Sequence, residues 1–162
     1  MQNKAFILIE DVLLLQNFYQ SAVKNTPSSW RLEHVFDNVT DAFMHVKKRT
    51  CSCAGVLMDV RVKLARGDPA PPLNTPQPYG FELLKWMANC ATAKNVPVVA
   101  YSRFLYPGSP TAVAANLAWE SFEILLDVIP MAIEGEDLVK RAYNLFDCFH
   151  ATRQRPQRPS FW

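Results

Sequence analysis

Glycine is scarce in this chain, and the scarcity excludes chemistry. The five glycines, Gly55, Gly67, Gly80, Gly108 and Gly135, are spread through 162 residues. They stand too far apart for the Gly-rich turn of a dinucleotide site or for a P-loop, which disfavours two large classes of nucleotide enzyme. Histidine is equally sparse. His34, His45 and His150 are scattered, and none stands at a readable spacing from a serine or cysteine, so no hydrolytic triad is indicated. Cys51, Cys53, Cys90 and Cys148 contain no C-x-x-C pair. Cys51-Ser-Cys53 lacks nearby histidines at ligand spacing, so reduced thiols of a cytoplasmic protein are expected. No stretch approaches the ~18 apolar residues of a membrane span. The short apolar run after Met1-Gln-Asn-Lys4 lacks the cleavage site of a secretory leader.

Strong charge is missing too. Seventeen basic residues oppose fifteen acidic ones, for a net charge of +2, far from the balance of a nucleic-acid binder. The excess sits in the tail, where Arg153, Arg155 and Arg158 have no acidic neighbour. These arginines alternate with proline, and Ala151–Trp162 reads as an unpacked basic flexible tail or linker stub after a domain spanning residues 1–150. Apolar residues make up 49% of the chain, enough for a core without disulfides or metals.

Short β-branched runs alternate with helical patterns, the signature of a parallel α/β sheet. Strands are expected at Ala5–Ile9, Trp30–Phe36, Ala54–Met58, Val96–Tyr101 and Phe122–Ile129. Helices are expected over Val12–Lys24, with Leu14, Leu15, Phe18 and Val23 as the buried stripe, and after Asp37 or Asn38 as the cap, with Ala42, Phe43 and Val46 inward. Three further helices are expected over Phe81–Ala93, Pro110–Ala118 and Glu136–Phe149. Five of the twelve prolines fall between residues 64 and 79, so this segment reads as an extended surface loop.

In an open parallel sheet, function gathers outside the carboxyl ends of the strands. Those ends carry Glu10 and Asp11 (strand one), Asp59 (strand three) and Ser102 (strand four). Acidic residues at strand ends often do no more than cap helices. Here four suitable groups fall at strand ends in order. Three converging carboxylates repel unless a cation neutralises them, and oxygen-only ligation with retained waters suits Mg²⁺. A carboxylate beside such an ion is a candidate nucleophile towards phosphorus, and a hydroxyl across the site could bond a phosphoryl oxygen.

This arrangement resembles the receiver domain of two-component response regulators over roughly Lys4–Phe149. The resemblance is carried by Ile7-Leu-Ile-Glu-Asp11, Val56-Leu-Met-Asp59, Gly80-Phe-Glu-Leu-Leu84 and Pro97-Val-Val-Ala-Tyr-Ser102. It implies a doubly wound, five-stranded parallel sheet of flavodoxin-like (receiver-like) fold. It further implies Asp59 as phospho-acceptor from a histidine kinase or phosphotransfer protein, and Ser102 as the switch hydroxyl. Mg²⁺ would be held by Glu10, Asp11, Asp59 and the main-chain carbonyl of Arg61. Output would run through a downstream protein partner or a homodimer, without membrane or nucleic acid. Catalysis would be limited to self-catalysed phosphotransfer and dephosphorylation.

The sequence departs from the family in three places. The loop between Asp59 and Gly80 is longer by about a dozen residues and, being Pro-rich, semi-stiff; it could cover the acidic pocket or present a docking surface. The lysine expected at the end of strand five is missing: the region reads Leu125-Leu-Asp127-Val-Ile-Pro130, and no lysine occurs between Lys94 and Lys140. Its charge-assisted bond to phosphate would be worth roughly 1.5–3 kcal/mol, and Arg61 or Arg103 is the candidate substitute. The aromatic of strand five is replaced by Ile124 or Leu125, while Tyr101 and Phe104 flank the hydroxyl. A competing reading is a degenerate pseudo-receiver, a phosphorylation-independent interaction module. A flavodoxin-like small-molecule binder is disfavoured by the lack of a Gly- or Ser/Thr-rich phosphate loop after strand one.

Overall fold

In a computed structural model, the structure describes residues 4–48, 52–69, 79–130 and 135–161. The elements follow the chain as β1 (Ala5–Ile9), α1 (Leu13–Lys24), β2 (Arg31–Phe36), α2 (Val39–Val46), β3 (Cys53–Asp59), α3 (Gly80–Ala88), β4 (Val98–Ser102), α4 (Pro110–Ser121), β5 (Leu125–Pro130) and α5 (Gly135–Thr152). All strand pairs are parallel, in the order β2-β1-β3-β4-β5. The order reverses between β1 and β3, so the crevice of this doubly wound sheet opens at their carboxyl ends.

Period-two alternation within the central strands divides the core. Ile7 and Ile9 of β1, Val56 and Met58 of β3, and Val98 and Ala100 of β4 face one side, under Val39, Ala42 and Val46 of α2, Leu83, Leu84 and Met87 of α3, and Ala115 and Trp119 of α4. Phe6, Leu8, Leu57, Val99 and Tyr101 face the other, under Tyr19 and Ala22 of α1 and Leu138, Val139, Ala142 and Phe146 of α5. Both faces are covered, which is why these strands read as continuous apolar runs. Asn38, rather than Asp37, caps α2 by accepting the Asp41 N–H at 2.8 Å. Ser109 caps α4 at 3.0 Å, with Pro110 opening the helix.

Several expectations are corrected. The buried stripe of α1 is Tyr19 and Ala22, with Leu15 and Val23 partly covered, whereas Leu14 is 76% and Phe18 49% exposed. A tilted ring contact of Tyr19 with Tyr101, with centroids 4.9 Å apart, sets the phase of the helix. Phe18 instead covers the start of α5 at Gly135. Helix α3 ends at Ala88, not Ala93, because the Asn89 side chain donates back to the Lys85 carbonyl at 3.0 Å and Thr92 Oγ1 is drawn to the Lys47 carbonyl at 2.6 Å. Strand β5 begins at Leu125, since Phe122 is still donating its N–H to the Ala118 carbonyl of α4. Most of the expected Pro-rich loop, residues 70–78, lies outside the described residues.

The segment after α5, expected to be unpacked, lies against the body of the protein. Arg155 places its guanidinium 3.7 Å from the Trp119 ring centroid and donates to the carbonyls of Trp119, Phe122 and Leu125 at 2.7–3.2 Å. These carbonyls lie where α4 ends and β5 begins, so one side chain satisfies acceptors that lack helical partners. Ser160 donates its N–H and hydroxyl to Asp127, a fully buried carboxylate that also pairs with Arg141 at 2.8 Å. Phe161 packs against the core. The edge strand β5 is thereby protected from open pairing. Arg155→Ala is expected to lower unfolding stability by about 2 kcal/mol, read by urea denaturation. Arg155→Lys should recover only part, because a compact ammonium cannot stack on the Trp119 ring as the planar guanidinium does.

Candidate functional site

The acidic site is built by three strand ends. β1 delivers Glu10, which is fully buried, and Asp11 beside it. β3 ends in Asp59, whose backbone pairs with Tyr101 of β4, so Ser102 stands one residue further out on the neighbouring strand. Carboxylate oxygens of Glu10, Asp11 and Asp59 all lie within 4.8 Å of one another.

Each carboxylate is positioned differently. Glu10 Oε1 accepts the Tyr101 hydroxyl at 2.9 Å and Oε2 accepts the Val12 N–H at 3.2 Å. Asp59 Oδ1 accepts the Arg61 N–H at 3.0 Å, which bends the chain back over the acid. Asp11 Oδ2 is buried with no hydrogen-bond donor. Gly80 closes the site from below: its N–H donates to the Val60 carbonyl at 2.9 Å, and a Cβ there would stand 2.8–2.9 Å from the carbonyls of Val60 and Asp59. Only glycine lets α3 start this close to the acid-bearing turn.

Burial, and after it the charge of Asp59, pushes Glu10 up to about 8. Burial and then the charge of Asp11 push Asp59 up to about 6, against the Arg61 N–H. Burial also raises Asp11. Desolvated acids this close hold protons more tightly than free carboxylates unless a cation replaces them. The donor set fits Mg²⁺: it is all oxygen, and the orphaned Asp11 Oδ2 is the acceptor that a hard cation would satisfy.

Ser102 is almost fully buried, and its Oγ accepts the Phe104 N–H at 3.1 Å. The strand ends thus assemble Glu10, Asp11, Asp59 and Ser102 around one crevice, with Arg61 at its rim. Sequence reasoning missed the role of Tyr101, whose phenol reaches Glu10. A lone phenol at the end of an otherwise aliphatic strand was the signal available. Among the described residues, Cys53, Cys90 and Cys148 form no disulfide.

The geometry has close structural counterparts. The receiver domain of a Pseudomonas aeruginosa sensor histidine kinase, solved with magnesium in its active site cleft, superposes with a TM-score of 0.61 at 12% identity, covering 90% of this chain and 98% of that one. A LuxR-family DNA-binding response regulator from Staphylococcus aureus gives 0.63 at 17% identity, covering 89% and 98%. The fold is that of a receiver domain. A Vibrio cholerae chemotaxis response regulator shares this receiver fold at a TM-score of 0.56 and 13% identity, covering 86% and 96%. No family model matches the sequence, and no curated protein matches it. Among the described residues, no helix of the receiver fold is long and apolar enough to cross a membrane.

Proposed function

We propose that the protein is a two-component signalling receiver in which Asp59 accepts a phosphoryl group from a histidine kinase or phosphotransfer protein. The observation that carries this reading is the convergence of the Glu10, Asp11 and Asp59 carboxylates, with an orphaned Asp11 oxygen, beside Ser102 at the switch point of a receiver fold. A carboxylate oxygen of Asp59 attacks phosphorus, an O–P bond forms and the P–N bond to the donor imidazole breaks. The imidazole keeps the electron pair and takes a proton from solvent. Glu10, Asp11, Asp59 and the main-chain carbonyl of Arg61 would hold Mg²⁺. Bound there, the ion neutralises the acids and the charge developing on the phosphoryl oxygens.

In this reading Tyr101 and the Val12 N–H fix Glu10, the Arg61 N–H fixes Asp59, and Ser102 meets the modified acid from β4. Modification turns a carboxylate of about −1 into an acyl phosphate of about −1.5 to −2, and the change is read out by protein contacts. A second reading, a pseudo-receiver that binds partners without phosphorylation, is favoured by one observation: both oxygens of Glu10 are already bonded by protein donors.

Magnesium titration followed by amide NMR separates the two. The receiver reading predicts saturable Mg²⁺-dependent shifts at Asp11, Asp59 and Arg61, then further shifts reaching Ser102 when beryllofluoride is added. The absence of both would leave the pseudo-receiver.

A further inference from the structure

At the edge of the sheet opposite β5, strand β2 breaks its register. Phe6 pairs with Leu32 but Ile7 pairs with His34, so Glu33 is an extra residue on β2. In an unbroken strand Glu33 and His34 would point to opposite faces, and only one of them could meet α2. The irregularity lets both do so. Glu33 Oε2 lies 3.9 Å from Nε2 of His45, in the last turn of α2, and the His34 and His45 ring centroids are 4.8 Å apart. The Phe36 ring lies beside both imidazoles, at 5.7 and 5.3 Å.

Two of these atoms lack partners. Glu33 Oε2 and His45 Nε2 are both buried, and neither has a hydrogen-bond partner among the described residues. At 3.9 Å they are too far apart to bond each other. Leaving two facing polar atoms unpaired is costly, so a third group belongs between them. Burial holds the His45 imidazole below its ordinary value, against the charge of Glu33 and helped by His34 and Lys48. Neutral imidazole is the form that ligates a metal. A water molecule could span the pair, but it would leave unexplained why the break in β2 brings His34 to the same point.

Two imidazoles and a carboxylate are the donor set of a zinc-type ion. Metal–donor distances of about 2.0–2.2 Å place an ion between Glu33 Oε2 and His45 Nε2, and a slight closing of the pair reaches the ~3.4 Å separation of tetrahedral donors. The three side chains are not yet closed into one cluster; among the described residues only Glu10, Asp11 and Asp59 have that compactness. His34 is exposed, so its ring can turn towards the other two without unpacking the core.

We propose that Glu33, His34 and His45 form a metal site separate from the acidic crevice, which takes a divalent transition ion such as Zn²⁺ in preference to Mg²⁺ and pins the edge strand β2 to α2. Nitrogen donors set the preference, because Mg²⁺ is held by oxygen. The site does not depend on the reading of Asp59 as acceptor.

The full chain, kept in excess Mg²⁺ to occupy the crevice, is titrated with Zn²⁺ while NMR follows the imidazole nitrogens. Saturable shifts are expected at His34 and His45, with His150, whose Nε2 is bonded to the Ala54 carbonyl, as the internal reference. A hundredfold excess over Kd should raise the melting temperature by roughly 5–10 °C. Glu33→Gln, His34→Gln and His45→Gln should each weaken Zn²⁺ binding tenfold or more, read at the remaining histidines. His34→Gln, at an exposed position, should do so with the metal-free melting temperature unchanged, which separates a lost ligand from a damaged fold. Lowering the pH to about 5 should release the ion as the imidazoles protonate. Zn²⁺ that leaves the His34 and His45 signals unmoved, because thiols or crevice carboxylates capture it or because water alone spans the pair, overturns the proposal. Equal Zn²⁺ affinity in wild type, His34→Gln and His45→Gln overturns it as well.

Discussion

Asp59→Asn is expected to abolish covalent phosphorylation and, with magnesium chelated, to raise the melting temperature at about pH 8. The first effect follows from chemistry: an amide oxygen does not displace a phosphoryl group as a carboxylate does, and no other acid occupies the β3 end. The second follows from linkage. Asp59 is raised to about 6 and Glu10 to about 8, chiefly by burial. Between their ordinary values and these, the folded protein binds more protons than the unfolded chain. Stability is then fully present in acid and is lost as pH rises through about 6 to 8. Asparagine can still accept the Arg61 N–H while removing one of the repelling charges. A gain on the order of 1–2 kcal/mol would appear as roughly 2–8 °C for a chain of this size. Wild type with EDTA should melt progressively lower between about pH 5 and 8, and Mg²⁺ should restore it at the upper end. A melting temperature independent of pH in wild type would contradict this electrostatic picture.

The second large effect is at Asp127. This carboxylate is fully buried and accepts from Arg141, from its neighbour Val128 N–H, and from both donors of Ser160. Asp127→Ala leaves these donors without their acceptor and releases the end of the chain from β5. The expected loss is about 2–4 kcal/mol, moderated because Arg141 is partly exposed and can reach water. Ser160→Ala should cost well under half of that, because the Ser160 N–H and the Arg141 pair remain. Thermal unfolding of the two variants measures both. Hydrogen exchange at the Leu125–Ile129 amides should accelerate in Asp127→Ala as the edge strand is uncovered.

Much of the architecture was legible because both sheet faces are covered. Continuous apolar runs at Ala5–Ile9 and Val98–Tyr101 mark parallel strands, and each of these two is followed directly by a site residue, Glu10 and Ser102. The positions of Glu10, Asp11, Asp59 and Ser102 followed from strand ends alone. Side-chain reach was not legible. Tyr101 bonding Glu10 spans 91 positions in sequence, and no local pattern encodes it. The phase of α1 failed for a related reason. Leu14 and Phe18 make as good a stripe on paper as Tyr19 and Ala22, and the ring contact of Tyr19 with Tyr101 chooses between them. Prolines and arginines after Thr152 suggested solvent, yet Arg155 finds three carbonyls and an indole where α4 gives way to β5. That partner set exists only once the sheet is assembled.

Intact mass spectrometry tests whether Asp59 is a phosphoryl acceptor served by Glu10, Asp11 and a divalent cation. The protein is incubated with Mg²⁺ and acetyl phosphate, and the modified residue is located by peptide mapping. A mass increase of one phosphoryl group is expected, located on Asp59, absent in Asp59→Asn and suppressed by EDTA. An unmodified wild-type protein under conditions where Mg²⁺ is bound, or a phosphoryl group on another residue, would contradict it.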